Sequence, residues 1–156
     1  MQYSLTEAQA ELRTQILKLC ADFGDDYWLK IDQEARFPEE FYRAVATAGW
    51  LGIAMPEEFG GAGLGISEAT VMMQAVAESG ACMSGASAIH MNIFGLNPVV
   101  VFGTPAQKQR FLPPLIEGRE KACFGVTEPN SGLNTTELKT RAEKRGPKYI
   151  IHGRKW

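Results

Sequence analysis

Several things are scarce in this sequence, and each scarcity removes a class of function. Cysteine is rare and odd in number. Cys20, Cys82 and Cys123 lie far apart, form no Cys-x-x-Cys pair, and have neither His90 nor His152 beside them. No disulfide framework or metal site is expected, and a reducing compartment is the better reading. Positive charge is nowhere concentrated and the net charge is −2, so nothing marks a nucleic-acid surface. The N-terminus has no basic region leading into an apolar run and a small-residue cleavage site, so no secretory signal is expected. A cytoplasmic protein is expected, or one of the mitochondrial matrix if the source is eukaryotic. Long hydrophobic runs are also missing. The most apolar stretch, residues 86–103, is broken by His90, Asn92, Asn97 and Pro98, which predicts a buried helix and no membrane span.

What remains is ordinary for a globular chain. Of the 156 residues, 45% are hydrophobic and 22% charged, so a packed core rather than disorder is expected. The length suits one domain, or a small domain and part of another.

Residues 5–118 carry helical signals. Thr6-Glu7-Ala8-Gln9 has capping-box spacing, and Leu12, Ile16, Leu19 and Phe23 recur on one face before Gly24-Asp25-Asp26 ends the run. A second helix is predicted from Pro38, with Glu39 and Glu40 in its first turn and Gly49 as its stop. Residues 56–65 read as a tight loop: Gly60, Gly61, Gly63 and Gly65 do not have dinucleotide-fingerprint spacing, and no βαβ unit surrounds them. Ser67 is a candidate cap for a third helix, with Val71, Met72, Ala75 and Val76 on its face. A fourth, near residues 84–96, is apolar almost all round and is expected to be interior. Thr104-Pro105-Ala106-Gln107 repeats the cap for a fifth, whose continuation Pro113-Pro114 should limit. Short connections between such helices imply a bundle.

After Gly118 the pattern changes to strands and turns. Residues 122–126 read as a short strand. Leu138, Thr140 and Ala142 alternate with charged residues, and residues 149–152 return across a Gly-Pro turn as a hairpin. The predicted class is therefore mainly α: a helical domain over residues 1–119, followed at 120–156 by the first strands of a β-domain. A sheet this small needs more strands to be stable.

Chemistry is best sought in Phe124-Gly125-Val126-Thr127-Glu128-Pro129-Asn130-Ser131-Gly132-Leu133-Asn134. A strand running into a loop of small polar residues exposes backbone N–H groups and can approach a flat or phosphorylated ligand. Taken alone, the segment is a weak signal and reads first as an ordinary turn.

Together, several separated segments resemble the acyl-CoA dehydrogenase family. They are Phe124-Gly125-Val126-Thr127-Glu128-Pro129 with Gly132, Leu138-Lys139-Thr140-Arg141-Ala142, and residues 149–156. Upstream, Met55-Pro56-Glu57-Glu58-Phe59-Gly60-Gly61-Ala62-Gly63, Gly103-Thr104-Pro105-Ala106-Gln107-Lys108 and Phe111-Leu112-Pro113 agree in the right order. The resemblance implies an FAD-dependent oxidation of the Cα–Cβ bond of an acyl-CoA, with electron-transfer flavoprotein as acceptor and a homotetramer when complete. It implies that Phe124, Val126 and Thr127 lie along the flavin, that Gly132 permits close approach, and that Trp156 flanks the ring. It also implies that the helix carrying Ser87, His90, Met91 and Phe94 lines the acyl-tail cavity; core packing of His90 is the competing reading. For Trp156 the competing reading is a hydrophobic plug.

Leu133 departs from the family's Gly-Ser-Asp, since Gly132-Leu133-Asn134 offers no hydroxyl, and a substrate contact there is an open question. Glu128 is not expected to be the base, which relatives carry in a C-terminal domain. The chain is thus expected to be an N-terminal portion that stops before the catalytic base and is inactive alone. Two alternatives stay open: a same-fold flavin oxidase or monooxygenase, and a non-catalytic helical module.

Overall fold

A computed structural model describes residues 4–156, in two compact units divided between Cys123 and Phe124. The first unit is helical. Helix α1 (Glu7–Cys20) opens with the expected reciprocal cap: Gln9 N–H donates to Thr6 Oγ1 at 3.2 Å, and Thr6 N–H donates to Gln9 Oε1 at 3.1 Å. Gly24-Asp25-Asp26 was expected only to end a helix. It also begins one, α2 (Asp25–Gln33), with Gly24 as N-cap and both aspartates in the first turn, where the positive helix end favours them. Helix α3 (Glu39–Thr47) follows Pro38 and stops at Gly49, whose φ of +82° is the left-handed geometry that suits glycine. Helix α4 (Ile66–Val76) starts at Gly65 rather than Ser67, because the Glu68 carboxylate reaches back to accept the Gly65 N–H at 3.1 Å.

A π turn (Ala77–Ala81), with Gly80 at φ +95°, bends the chain into α5 (Cys82–Phe94); α6 (Asn97–Phe102) and α7 (Pro105–Ile116) follow. By composition and length residues 66–102 could cross a membrane. They are divided instead into helices of 11, 13 and 6 residues, each shorter than the ~20 a bilayer requires. Helix α7 carries Pro113 and Pro114 and ends two residues beyond them, at Ile116. The prolines sit in its last turn, so only two N–H bonds are forfeited, and their carbonyls still accept from Glu117 and Glu120 at 3.0 Å.

The core gathers Phe41, Tyr42, Val45, Leu51, Ile53, Met72, Ala75 and Ile89, all essentially without exposure. Edge-to-face contacts join Phe41 to Phe23 and Trp28, at 5.4 and 5.1 Å between ring centroids. A smaller cluster of Met55, Leu112, Leu115 and Ile116 seats α7. The expectation of an interior α5 needs correction. Gly85, Ala86, Ile89, Asn92 and Ile93 face inward, whereas Met83 is 73% exposed and Ser84, Ser87 and Phe94 are open. One stripe of the helix is enough to seal this unit, so apolar residues all round it leave an outer face uncovered.

In the second unit, β1 (Arg141–Arg145) and β2 (Lys148–His152) pair antiparallel, with Arg141 opposite His152 and Arg145 opposite Lys148 across the Gly146-Pro147 turn. Residues 122–126, expected to be a strand, are not part of any ladder among the described residues. Nor does β1 begin at Leu138. The N–H groups of Lys139 and Thr140 are taken by the Glu128 carboxylate, at 2.8 and 3.0 Å, and so are lost to strand pairing.

Candidate functional site

Two features invite a ligand, one in each unit. In the helical unit, α4 and α5 part to leave an apolar cleft of about 200 Å³ lined by Ile66, Ala69, Thr70, Met73, His90, Ile93 and Phe94. Ile66, Ile93 and Phe94 also border an adjoining opening of about 340 Å³, reached past Met55, Leu64 and Asn97. His90 Nδ1 lies 3.3 Å from the Ser87 carbonyl, and its ring is tilted 5.3 Å from that of Phe94. The structure therefore brings His90 and Phe94 together on one wall. Ser87 lines a different opening, between the end of α2 and α5, beside Asp32 and Arg36. Met91 does not line the cleft. The opposite wall was missed in the sequence. Its signal was Ile66, Thr70 and Met73 at i, i+4, i+7, a second face of α4 beside the core face of Val71, Met72 and Ala75.

In the second unit, the segment leading to Glu128 lies along the chain's last residues. Trp156 N–H donates to the Thr127 carbonyl at 3.0 Å, and Lys155 Nζ donates to the Val126 carbonyl at 2.8 Å. Phe124 and Trp156 are 57% and 76% exposed, and the Thr127 hydroxyl has no hydrogen-bond partner among the described residues. Aromatic faces and an unspent hydroxyl donor are what a planar, polar-edged ring system needs. Gly132 opens onto free space, and Leu133 is fully exposed.

Glu128 is the anchor beneath this surface. It is 7% exposed and accepts from Lys139 N–H, Thr140 N–H and, at 3.0 Å, Lys155 Nζ. Its pKa is held at about 2 by the adjoining Thr140 hydroxyl, then the two N–H groups, then the ammonium. The Thr140 hydroxyl forms no aligned hydrogen bond, so the N–H groups carry the anchoring. A carboxylate that acidic and that fully engaged is a poor general base. Its depressed pKa stabilises the folded loop above the unfolded value of roughly 4.3, and that contribution is lost as pH falls through about 2. Protection of the Lys139 and Thr140 amides from hydrogen exchange should therefore fall between about pH 4.3 and 2, and Glu128→Gln should flatten that profile. An unchanged profile in the variant would show that another group anchors the loop.

The family profile described as "Acyl-CoA dehydrogenase, N-terminal domain" matches residues 6–119. The chain belongs to the acyl-CoA dehydrogenase family. It is 32% identical over 154 residues to mitochondrial isovaleryl-CoA dehydrogenase of Pongo abelii, covering 97% of this chain and 36% of that protein. It is 35% identical over 162 residues to acryloyl-CoA reductase (NADH) of Anaerotignum propionicum, covering 99% and 39%. The structure described as the FAD complex of PigA matches with a TM-score of 0.89 at 20% identity, over 99% of this chain and 41% of that one, which establishes a shared fold. The chain spans a little over a third of its relatives' length.

Proposed function

We propose that this chain supplies the acyl-holding and flavin-facing parts of an FAD-dependent acyl-CoA dehydrogenase that forms a 2-enoyl-CoA. The observation that carries the reading is that a member of this family has an apolar α4–α5 cleft in its helical unit and, in its second unit, an exposed aromatic and hydroxyl surface at Phe124, Thr127 and Trp156. FAD, when bound, supplies the hydride acceptor. Thr127 would donate its hydroxyl proton toward the ring as negative charge develops there, Phe124, Val126 and Trp156 would flank it, and Gly132 would leave room for it. His90 and Phe94 would border the acyl tail, and Leu133 would present an apolar surface where a serine is common in relatives. Electron-transfer flavoprotein would be the acceptor, and the complete protein a homotetramer.

Thr127→Ala in the complete protein is expected to cost about 1–3 kcal/mol in FAD retention or flavin reduction, read from the visible flavin spectrum and stopped-flow reduction. Both values unchanged would remove Thr127 from the site. Phe94→Ala should move the preference in an acyl-CoA panel toward longer or bulkier chains by roughly tenfold or more, since even one methylene in an apolar pocket is worth about that much. An identical profile in parent and variant would make Phe94 a packing residue. A second reading, reduction of an acrylyl thioester, is favoured by the 35% identity to the relative named acryloyl-CoA reductase (NADH). NADH oxidation dependent on a 2-enoyl-CoA would select it.

A further inference from the structure

Three helices converge on residues 120–122, the end of the helical unit, and the side chain at the centre of that convergence is Asn92. Its amide is 3% exposed and fully engaged. Nδ2 donates to the Tyr42 hydroxyl at 2.7 Å and to the Glu120 carbonyl at 3.2 Å, and Oδ1 accepts the Ala122 N–H at 3.1 Å. The Tyr42 hydroxyl in turn donates to the Glu120 carbonyl at 3.3 Å. Lys121, between these two residues, pairs with Glu39 at 2.7 Å and lies over the Phe37 and Tyr42 rings. Ala122 packs so close to α5 that a Cβ on Gly95 would stand 3.1 Å from its own. A buried amide that spends its groups on backbone polar atoms of a distant segment dictates where that segment's backbone runs. The next residues are Cys123 and Phe124, and on α5 Asn92 lies two residues from both His90 and Phe94.

We infer that Asn92 is a positioning residue: it fixes the backbone of residues 120–122 where the chain leaves the helical unit, immediately before the Phe124–Thr127 segment. This rests on the proposed flavin role of that segment, and the test separates the two.

In the complete protein, the Ala122 amide should exchange with deuterium far more slowly than that of Cys123. Equal rates would overturn the clamp without any substitution. Tyr42→Phe removes one partner of Asn92 but leaves its bonds to the Leu115 and Glu120 carbonyls and to the Ala122 N–H, whereas Asn92→Leu removes all of them. Asn92→Leu is expected to release the Ala122 amide, loosen the backbone at Lys121 enough for trypsin to cut there, and raise the FAD dissociation constant roughly tenfold or more, as misplacement of a binding segment does. Tyr42→Phe, even with a lowered Tm, should leave Ala122 protected and FAD affinity within about twofold, a span well inside one tenfold step. If Asn92→Leu does not fold, Asn92→Asp, which keeps the acceptor for the Ala122 N–H, should retain Ala122 protection and FAD affinity. FAD affinity that follows Tm across all variants would make Asn92 purely structural. A parent that binds no FAD, yet shows a protected Ala122, would overturn the flavin reading and leave the clamp standing.

Discussion

Replacing Phe41 with alanine is expected to cost about 3–5 kcal/mol of stability, a large share of what a domain of this size possesses. Phe41 is 0% exposed and stands where α2, α3 and the turn at Phe23 meet. Its ring takes the edges of Phe23 and Trp28, contacts worth about 0.5–1.5 kcal/mol beyond area burial. Its neighbours cannot close the gap easily. Trp28 is itself 8% exposed and abuts Gly85 so closely that a Cβ there would lie 3.2 Å from the indole. The Phe41 N–H is also held by the Tyr27 hydroxyl at 3.3 Å, which fixes the backbone of α3. Urea unfolding should show a lower midpoint at unchanged slope, and Phe41→Leu should lose less because it keeps most of the volume. A midpoint equal to the parent's would mean that this aromatic cluster does not hold the helices together.

What could be read in the sequence was whatever depends on near neighbours. The Thr6 and Thr104 caps each involve residues three apart, and both form as their spacing dictates. The stop at Gly49 is equally local. Misreadings arose where a local signal has two meanings. Gly24-Asp25-Asp26 ends one helix and begins the next. A second group of features was invisible because it depends on distance in the chain. Asn92 interrupts an apolar run, yet its partners Tyr42 and Ala122 lie 50 and 30 residues away. Glu128 looks like a loop carboxylate until the N–H groups of Lys139 and Thr140 are seen to converge on it. The cleft was legible only as half of itself. His90 and Phe94 could be placed on one face of α5, while Ile66, Thr70 and Met73 were hidden behind the stronger core stripe of α4.

Residues 1–156 alone, supplied with FAD and an acyl-CoA mixture, are expected to show no substrate-dependent flavin bleaching at an enzymatic rate. Removing a proton α to a thioester needs a base within hydrogen-bond reach, and a positioned base contributes about 10²–10⁴-fold. The α4–α5 cleft and its adjoining opening contain no carboxylate: their walls are Ala54, Met55, Leu64, Ile66, Ala69, Thr70, Met73, His90, Ile93, Phe94 and Asn97. Glu128, the one buried acidic side chain among the described residues, is tied to two N–H groups and an ammonium with its pKa at about 2. It would have to abandon three partners to accept a proton. That leaves His90, whose Nδ1 is within 3.3 Å of a carbonyl of its own helix. With the proton on Nδ1 that contact holds, and Nε2 is the free acceptor. The experiment therefore has a second arm. Bleaching at an enzymatic rate would overturn the expectation, and its loss in His90→Gln would identify the imidazole as the base. Bleaching that survives in His90→Gln would direct the search to the exposed carboxylates.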